Sequence, residues 1–181
     1  MSILKVARMG HPVLRSKARA LDKRTITSPA TQKLIDDMIE TMAEYHGVGL
    51  AAPQVHADVR LFVASLDTER GQEPNDVIAL INPEITPVGT EIREDWEGCL
   101  SIPDIRGKVP RHFEVRVRAF DREGERLELR AKGFSARIVQ HETDHLDGIL
   151  FFDRMRAFES LTFLEEYSRY WSKNGDADDE E

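Results

Sequence analysis

The sequence predicts an α+β fold, and three observations carry that reading. Val115, Val117 and Ala119 alternate with Arg116, Arg118 and Phe120, and after a turn over residues 121–125 the alternation resumes at Leu127, Leu129 and Ala131, the pattern of a hairpin with one buried face. Apolar residues recur at helical spacing in Leu34, Ile35, Met38, Ile39 and Met42, and again in Leu161, Leu164, Tyr167 and Trp171. Strand and helix signals do not alternate regularly, which favours α+β layers over a doubly wound parallel sheet.

Taken in order, Ser28 followed by Pro29 is an N-cap and first-turn pair that should start the first helix. Gly47 and Gly49 should end it and open a tight loop. Residues 59–64 and 76–81 read as short buried strands, with a turn-rich polar stretch over 67–75 between them. After the hairpin, a second helix should begin at a Ser135 cap and stop just before Gly148. A third helix is expected from about residue 159 to residue 171.

A chain of 181 residues is expected to form one domain, here residues 1–172, followed by an acidic tail over 173–181 that reads as disordered. Hydrophobic residues at 40 % and charged residues at 32 % describe an ordinary soluble protein. The single cysteine excludes an intramolecular disulfide framework. No apolar run approaches the roughly 20 residues that span a bilayer, and the N-terminus has no signal-peptide core. A cytoplasmic location, with no membrane partner, is the expectation. The net charge is −8, but residues 175–181 hold five acids and no base, leaving only −3 elsewhere. Nothing in that balance offers a positive footprint for nucleic acid, so no direct nucleic-acid binding is expected.

The chemistry concentrates in Gln140-His141-Glu142-Thr143-Asp144-His145-Leu146. His141 and His145 are four residues apart, so on a helix their rings sit one turn apart on one face and can converge on an ion. Glu142 lies beside that face, completing an H-E-x-x-H metal-hydrolase pattern. The bland alternative is a polar face with surface histidines. Apolar Ile138, Val139 and Leu146 argue instead for a buried helix, whose histidines need partners. A catalytic ion takes a third protein ligand and leaves an open position. His11, His46, His56, His112, a carboxylate or Cys99 could supply it. Cys99 lies in Trp96-Glu97-Gly98-Cys99-Leu100-Ser101, where Gly98 permits a sharp backbone course. A lone cysteine is more often an inert small hydrophobe, but here it meets a histidine pair that lacks a ligand.

A third segment, Gly47-Val48-Gly49-Leu50-Ala51-Ala52-Pro53-Gln54, lets backbone approach a ligand or another strand closely. It lacks both the third glycine of a dinucleotide fingerprint and the Gly-Lys-Ser/Thr of a phosphate loop. The three segments, in this order, resemble peptide deformylase, with its G-x-G-L-A-x-x-Q loop, E-G-C-L-S turn and Q-H-E-x-x-H helix. Similarity spans roughly residues 5–155, including Gly10-His11-Pro12-Val13-Leu14 and Asp144-His145-Leu146-Asp147-Gly148.

The resemblance implies antiparallel β-sheets surrounding a central helix that carries the HExxH metal motif, with an N-terminal and a C-terminal helix besides. It implies an enzyme that removes the N-formyl group from the N-terminal formyl-methionine of newly made polypeptides. Cys99, His141 and His145 would bind one divalent metal ion, iron(II) in the cell, with zinc, nickel or cobalt possible in purified protein. Metal-bound hydroxide would attack the formyl carbon, Glu142 would shuttle the proton, and Gln54 with the Leu100 backbone N–H would face the developing oxyanion. Val48 and Gly49 are expected to pair with the peptide as an added strand, and Phe134 and Ile138 to border a slot for the methionine side chain. Trp96 stands where many relatives carry a carboxylate. Arg106, Arg111 and Arg137 could contact substrate carbonyls or the terminal carboxylate, but read as structural or solvated and stay outside the catalytic set. The resemblance also implies transient contact with the ribosome, against which Glu159, Glu165, Glu166 and the acidic tail weigh.

Two other classes fit parts of the pattern. A zinc endopeptidase would use the same H-E-x-x-H but has no need of the Cys99 and Gln54 segments. A catalytically silent protein capturing peptide N-termini would be expected to have lost a ligand or Glu142, and neither is lost.

Overall fold

Ser28 and Pro29 start the first helix as their residue types predict. In the computed structural model, which describes residues 2–67 and 77–172, the Ser28 hydroxyl accepts from the Thr31 N–H at 3.3 Å and α1 runs Pro29–Glu44. The polar stretch 68–76, which includes the first residue of one expected strand, and the tail 173–181 lie outside the described residues. Ile35, Met38 and Met42 on the inner face of α1 are buried with Leu50, Leu61, Val63 and Ile81 in one core cluster. The helix does not end on a glycine in the left-handed region: His46 takes φ 53°, and the Gly47 N–H returns to the Met42 carbonyl at 2.8 Å.

The described strands are β1 (Gly49–Ala51), β2 (Leu61–Ser65), β3 (Val77–Pro87), β4 (Ile92–Cys99), β5 (Ile102–His112), β6 (Glu114–Phe120), β7 (Arg126–Lys132) and β8 (Thr162–Phe163). They form a five-stranded antiparallel sheet, in the order β1-β2-β3-β6-β7, and a three-stranded one, β4-β5-β8. The β6–β7 hairpin is the one the alternation predicts. β3 runs past the expected end because a bulge at Asn82, φ 51°, absorbs the interruption, and the Asn82 side-chain amide holds both the N–H and the carbonyl of Leu21 at 2.9 Å.

The second helix, α2, runs Phe134–Leu146 and is buried along almost its whole length. Its N-cap is Gly133 (φ 58°), not Ser135; the Ser135 hydroxyl, inside the first turn, accepts from the Asp67 N–H at 3.0 Å. Gly148 follows its end with φ 72°, where a Cβ would overlap the Arg15 carbonyl. The third helix, α3, is only Leu164–Tyr170. The chain just before it is drawn into β8, where Phe163 pairs with Ile105 and Thr162 with Arg106.

The α+β class stands, but one part of the expected architecture needs correcting. The metal site does not belong to an HExxH motif on a single central helix. Among the described residues, the donors that converge are Cys99, His141 and His145, so α2 contributes two and the end of β4 in the other sheet contributes the third. The reason is geometric: two histidines one turn apart offer only two donors, and a four-coordinate ion with one open position takes three.

Candidate metal centre and active site

The donor atoms of Cys99, His141 and His145 lie within 4.8 Å of one another, and all three residues are buried. Cys99 Sγ is 3.2 Å from His145 Nε2. The sharp bend that delivers the thiol is the two-residue turn Leu100–Ser101, which joins β4 to β5 with Cys99 opposite Ile102. Gly98 has a different task from the one its residue type suggests. The Arg106 guanidinium occupies the place where a Cβ at residue 98 would stand.

Behind the histidines lies a network of buried charge. His141 Nδ1 meets Glu97 Oε2 at 2.9 Å, which leaves Nε2 to face the thiol. Glu97 accepts from Arg111 at 2.8 and 3.0 Å and from Arg137 at 2.8 Å. Arg111 also donates to Asp144 at 2.6 Å, and Arg154 closes the chain on Asp144 at 2.7 Å. Burial opposes the charge on Glu97, but hydrogen bonds from His141 and Arg111 outweigh it and hold the carboxyl well below the usual range. The same balance governs the ligands. Burial raises the Cys99 thiol, yet the charge of His145 and hydrogen bonds from both histidines bring it well below a free cysteine, toward the thiolate that ligates metal. Burial works against a charged His141, and the hydrogen bonds to Cys99 and Glu97 overcome it.

Two buried polar atoms in this cluster have no partner, Nδ1 of His145 and Oε2 of Glu142. A soft and imidazole donor set, one carboxylate holding a ligand histidine in place, and a second carboxylate left unpaired beside it fit a divalent ion and a reacting water. Burial pushes the Glu142 carboxyl up to about 7, against the pull of the two histidines, so it can take and return a proton near neutrality.

The Glu142 carboxylate lies against Gly49, where any Cβ would overlap it. That contact explains the second glycine of the loop by space rather than by backbone freedom. Gly49→Ala should therefore fold and hold metal normally while displacing Glu142, with turnover falling about 10²-fold. Unchanged kcat in a correctly folded, metal-loaded variant would contradict this placement.

Gln54 is buried beside the cluster. Its Oε1 accepts from the Ala51 N–H at 2.8 Å, and its Nε2 donates to Ser101 Oγ at 3.2 Å and reaches Cys99 Sγ at 3.5 Å. A cavity of about 600 Å³ opens over this group. Val48, Gly49, Leu100, Phe134 and Ile138 line it, and so do Trp96, Leu164 and Tyr167, which were not assigned to the site from sequence. His11 and His56 instead meet edge to face, 4.7 Å between centroids, and take no part in the metal cluster. Glu97, Arg111 and Asp144 are the residues that sequence reasoning missed. The available signal was charge placed directly beside metal ligands on elements that had to be buried.

A model of the polypeptide deformylase family matches residues 3–160. The chain belongs to that family. Peptide deformylase 2 of a Nostoc species is 45 % identical over 175 residues, covering 95 % of this chain and 97 % of that protein. The peptide deformylase of Halothermothrix orenii is 48 % identical over 156 residues, 86 % of this chain and 95 % of its own. A class I type b peptide deformylase from Acinetobacter baumannii, solved with Met-Ala-Ser bound, aligns with a TM-score of 0.79 at 39 % identity, covering 86 % of this chain and 100 % of that one. This deformylase is a metal-dependent hydrolase that removes the formyl group from an N-terminal methionine.

Proposed function

We propose that residues 1–172 act as one catalytic domain on the formyl-methionine end of nascent polypeptides, with iron(II) as the cellular ion. The observation that carries the site assignment is the buried Cys99, His141 and His145 triad, with the unpaired Glu142 carboxylate beside it at the floor of an open cavity. A divalent ion held by those three donors supplies an electrophile for the formyl oxygen and, at neutral pH, a nucleophile from water.

The chain's own residues do the rest. Among the described residues β1 pairs only with β2, and β4 only with β5, so each has an edge open for pairing, and Gly47 through Gly49 and Glu97 through Cys99 line the cavity. An extended peptide laid between these edges gains backbone hydrogen bonds with little sequence preference. Ile138 is buried while Phe134 is exposed, so the two provide the floor and lip of an apolar slot for the methionine side chain. The Gln54 amide and the Leu100 N–H serve the developing oxyanion, each typically worth ~3 kcal/mol. Glu142 holds the proton taken from water and returns it to the leaving amine.

No helix among the described residues is long and apolar enough to cross a membrane, in keeping with a cytoplasmic enzyme. Transient ribosome contact belongs to this reading, but exposed Glu165 disfavours α3 as the contact face. The slot is tested by comparing formyl-Met-Ala-Ser with formyl-Asp-Ala-Ser. Burying a carboxylate against Ile138 without a partner should lower kcat/KM about 10²-fold. Equal turnover of the two peptides would overturn the slot.

A further inference from the structure

Gln54 and Ser101 are 2 % and 0 % exposed, so their backbone carbonyls need donors from within the chain. Both donors come from the N-terminal segment. The Ala7 N–H reaches the Gln54 carbonyl at 2.7 Å, and the Met9 N–H reaches the Ser101 carbonyl at 2.8 Å.

The segment lies across the molecule as a strap. The Ser2 N–H donates to Asp37 Oδ1 at 2.9 Å and the Leu4 N–H to Thr41 Oγ1 at 2.8 Å, which fixes its start on α1. Ala7 then fastens it to the short turn Ala52–Val55 that carries Gln54, and Met9 to the Leu100–Ser101 turn. Its residues alternate in surroundings. Val6 and Arg8 line the cavity, whereas Ala7 is buried in the core cluster that contains Cys99 and Ile102. A turn ends the segment, closed by the His11 N–H on the Arg8 carbonyl at 3.0 Å, with Gly10 at φ 105°.

The two fastened elements are the ones that carry the oxyanion donors, the Gln54 amide and the Leu100 N–H. Across the gap between them Gln54 Nε2 donates to Ser101 Oγ at 3.2 Å, a link through two side chains. The N-terminal segment bridges the same gap through backbone. Such donors act by being in place before charge develops, and a displacement of about 1 Å can cost about 10²-fold.

We propose that Ala7 and Met9 are positioning residues, whose backbone N–H groups hold the Gln54 turn and the Leu100–Ser101 turn at the separation the oxyanion requires. The proposal rests on the deformylase reading and on the roles it gives Gln54 and Leu100. Neither Ala7 nor Met9 touches the reacting atoms.

Met9→Pro tests the second tie. It deletes one N–H and suits the turn, because Met9 is the second residue of a four-residue turn with glycine third, a place that proline favours. In metal-loaded enzyme, kcat for formyl-Met-Ala-Ser should fall about tenfold, with KM and bound metal within about twofold of the parent. Replacing Met9 by its α-hydroxy analogue, which turns the amide into an ester, removes the same N–H and decides the matter should Met9→Pro fold poorly. Thr41→Val is the control. It takes an acceptor from the α1 end of the same segment, so it should lower Tm and leave kcat unchanged. The first tie is tested with the ester at residue 7 in two backgrounds. In the parent it should lower kcat about tenfold; in Gln54→Ala, which has no amide left to position, the further loss should stay under about twofold. A merely structural tie would cost the same factor in both. Unchanged kcat when the residue 9 N–H is removed, an equal loss in Thr41→Val, or a fully additive loss with Gln54→Ala overturns the strap and leaves the deformylase reading intact. Absence of formate release by the metal-loaded parent overturns that reading and the strap together.

Discussion

Glu142→Ala is expected to keep its metal and lose about 10²- to 10⁴-fold in turnover. Glu142 supplies none of the three converging donors, so removing its carboxylate leaves the ligand set whole. What it removes is the only carboxylate in the cluster with an unpaired buried oxygen, since Glu97 spends both of its oxygens on His141, Arg111 and Arg137. Deletion also relieves a cost to the fold: a buried carboxyl titrating near 7 is poorly solvated, and Gly49 would face empty space in its place. The variant should therefore be no less stable than the parent. Normal turnover with a full complement of metal would remove Glu142 from the mechanism.

Glu97→Ala should have the opposite signature, damaging the fold first. It takes the Glu97 carboxylate from two buried guanidinium groups, leaving Arg111 only Asp144 and Arg137 only backbone carbonyls, and from the Nδ1 of a ligand histidine. Breaking a buried ion network from one side typically costs about 3–5 kcal/mol, which for a chain of this size lowers Tm by roughly 10 °C. Freed from Glu97, His141 also loses the bond that fixes its ring, and metal affinity should fall about 10- to 100-fold. Thermal melting of the metal-free and metal-loaded forms separates the two effects. A Tm within 2–3 °C of the parent, with unchanged metal affinity, would show that the network is incidental.

How much of this was legible in the sequence follows from how local each signal is. His141 and His145 are set by helical period alone, and the Cys99 and Gln54 segments were conspicuous because glycines flank them. The α1 cap and the β6–β7 alternation are equally short-range. β4 and β5 were not read as strands. Residues 92–95 are all exposed in the folded chain, so their charged run carries no period-two burial, and β5 contains Pro103 and Pro110. The network around Glu97 joins residues 14 to 44 positions apart, which no window of sequence displays. The helical stripe through Leu161 is real only from Leu164 onward, because pairing with β5 claims Thr162 and Phe163. Trp96 packs against a helix whose path over the cavity the sequence does not state.

The central claim is that Cys99, His141 and His145 hold the ion on which deformylation depends. The measurement is formate release from formyl-Met-Ala-Ser by enzyme purified without oxygen, with iron, zinc, nickel and cobalt quantified in the same sample. Rate should rise in proportion to bound metal up to one ion per chain, vanish on chelation and return on readdition of iron(II), and an unformylated peptide of the same sequence should stay intact. Formate release that persists in metal-depleted protein, or a fully loaded enzyme that releases none, would contradict it.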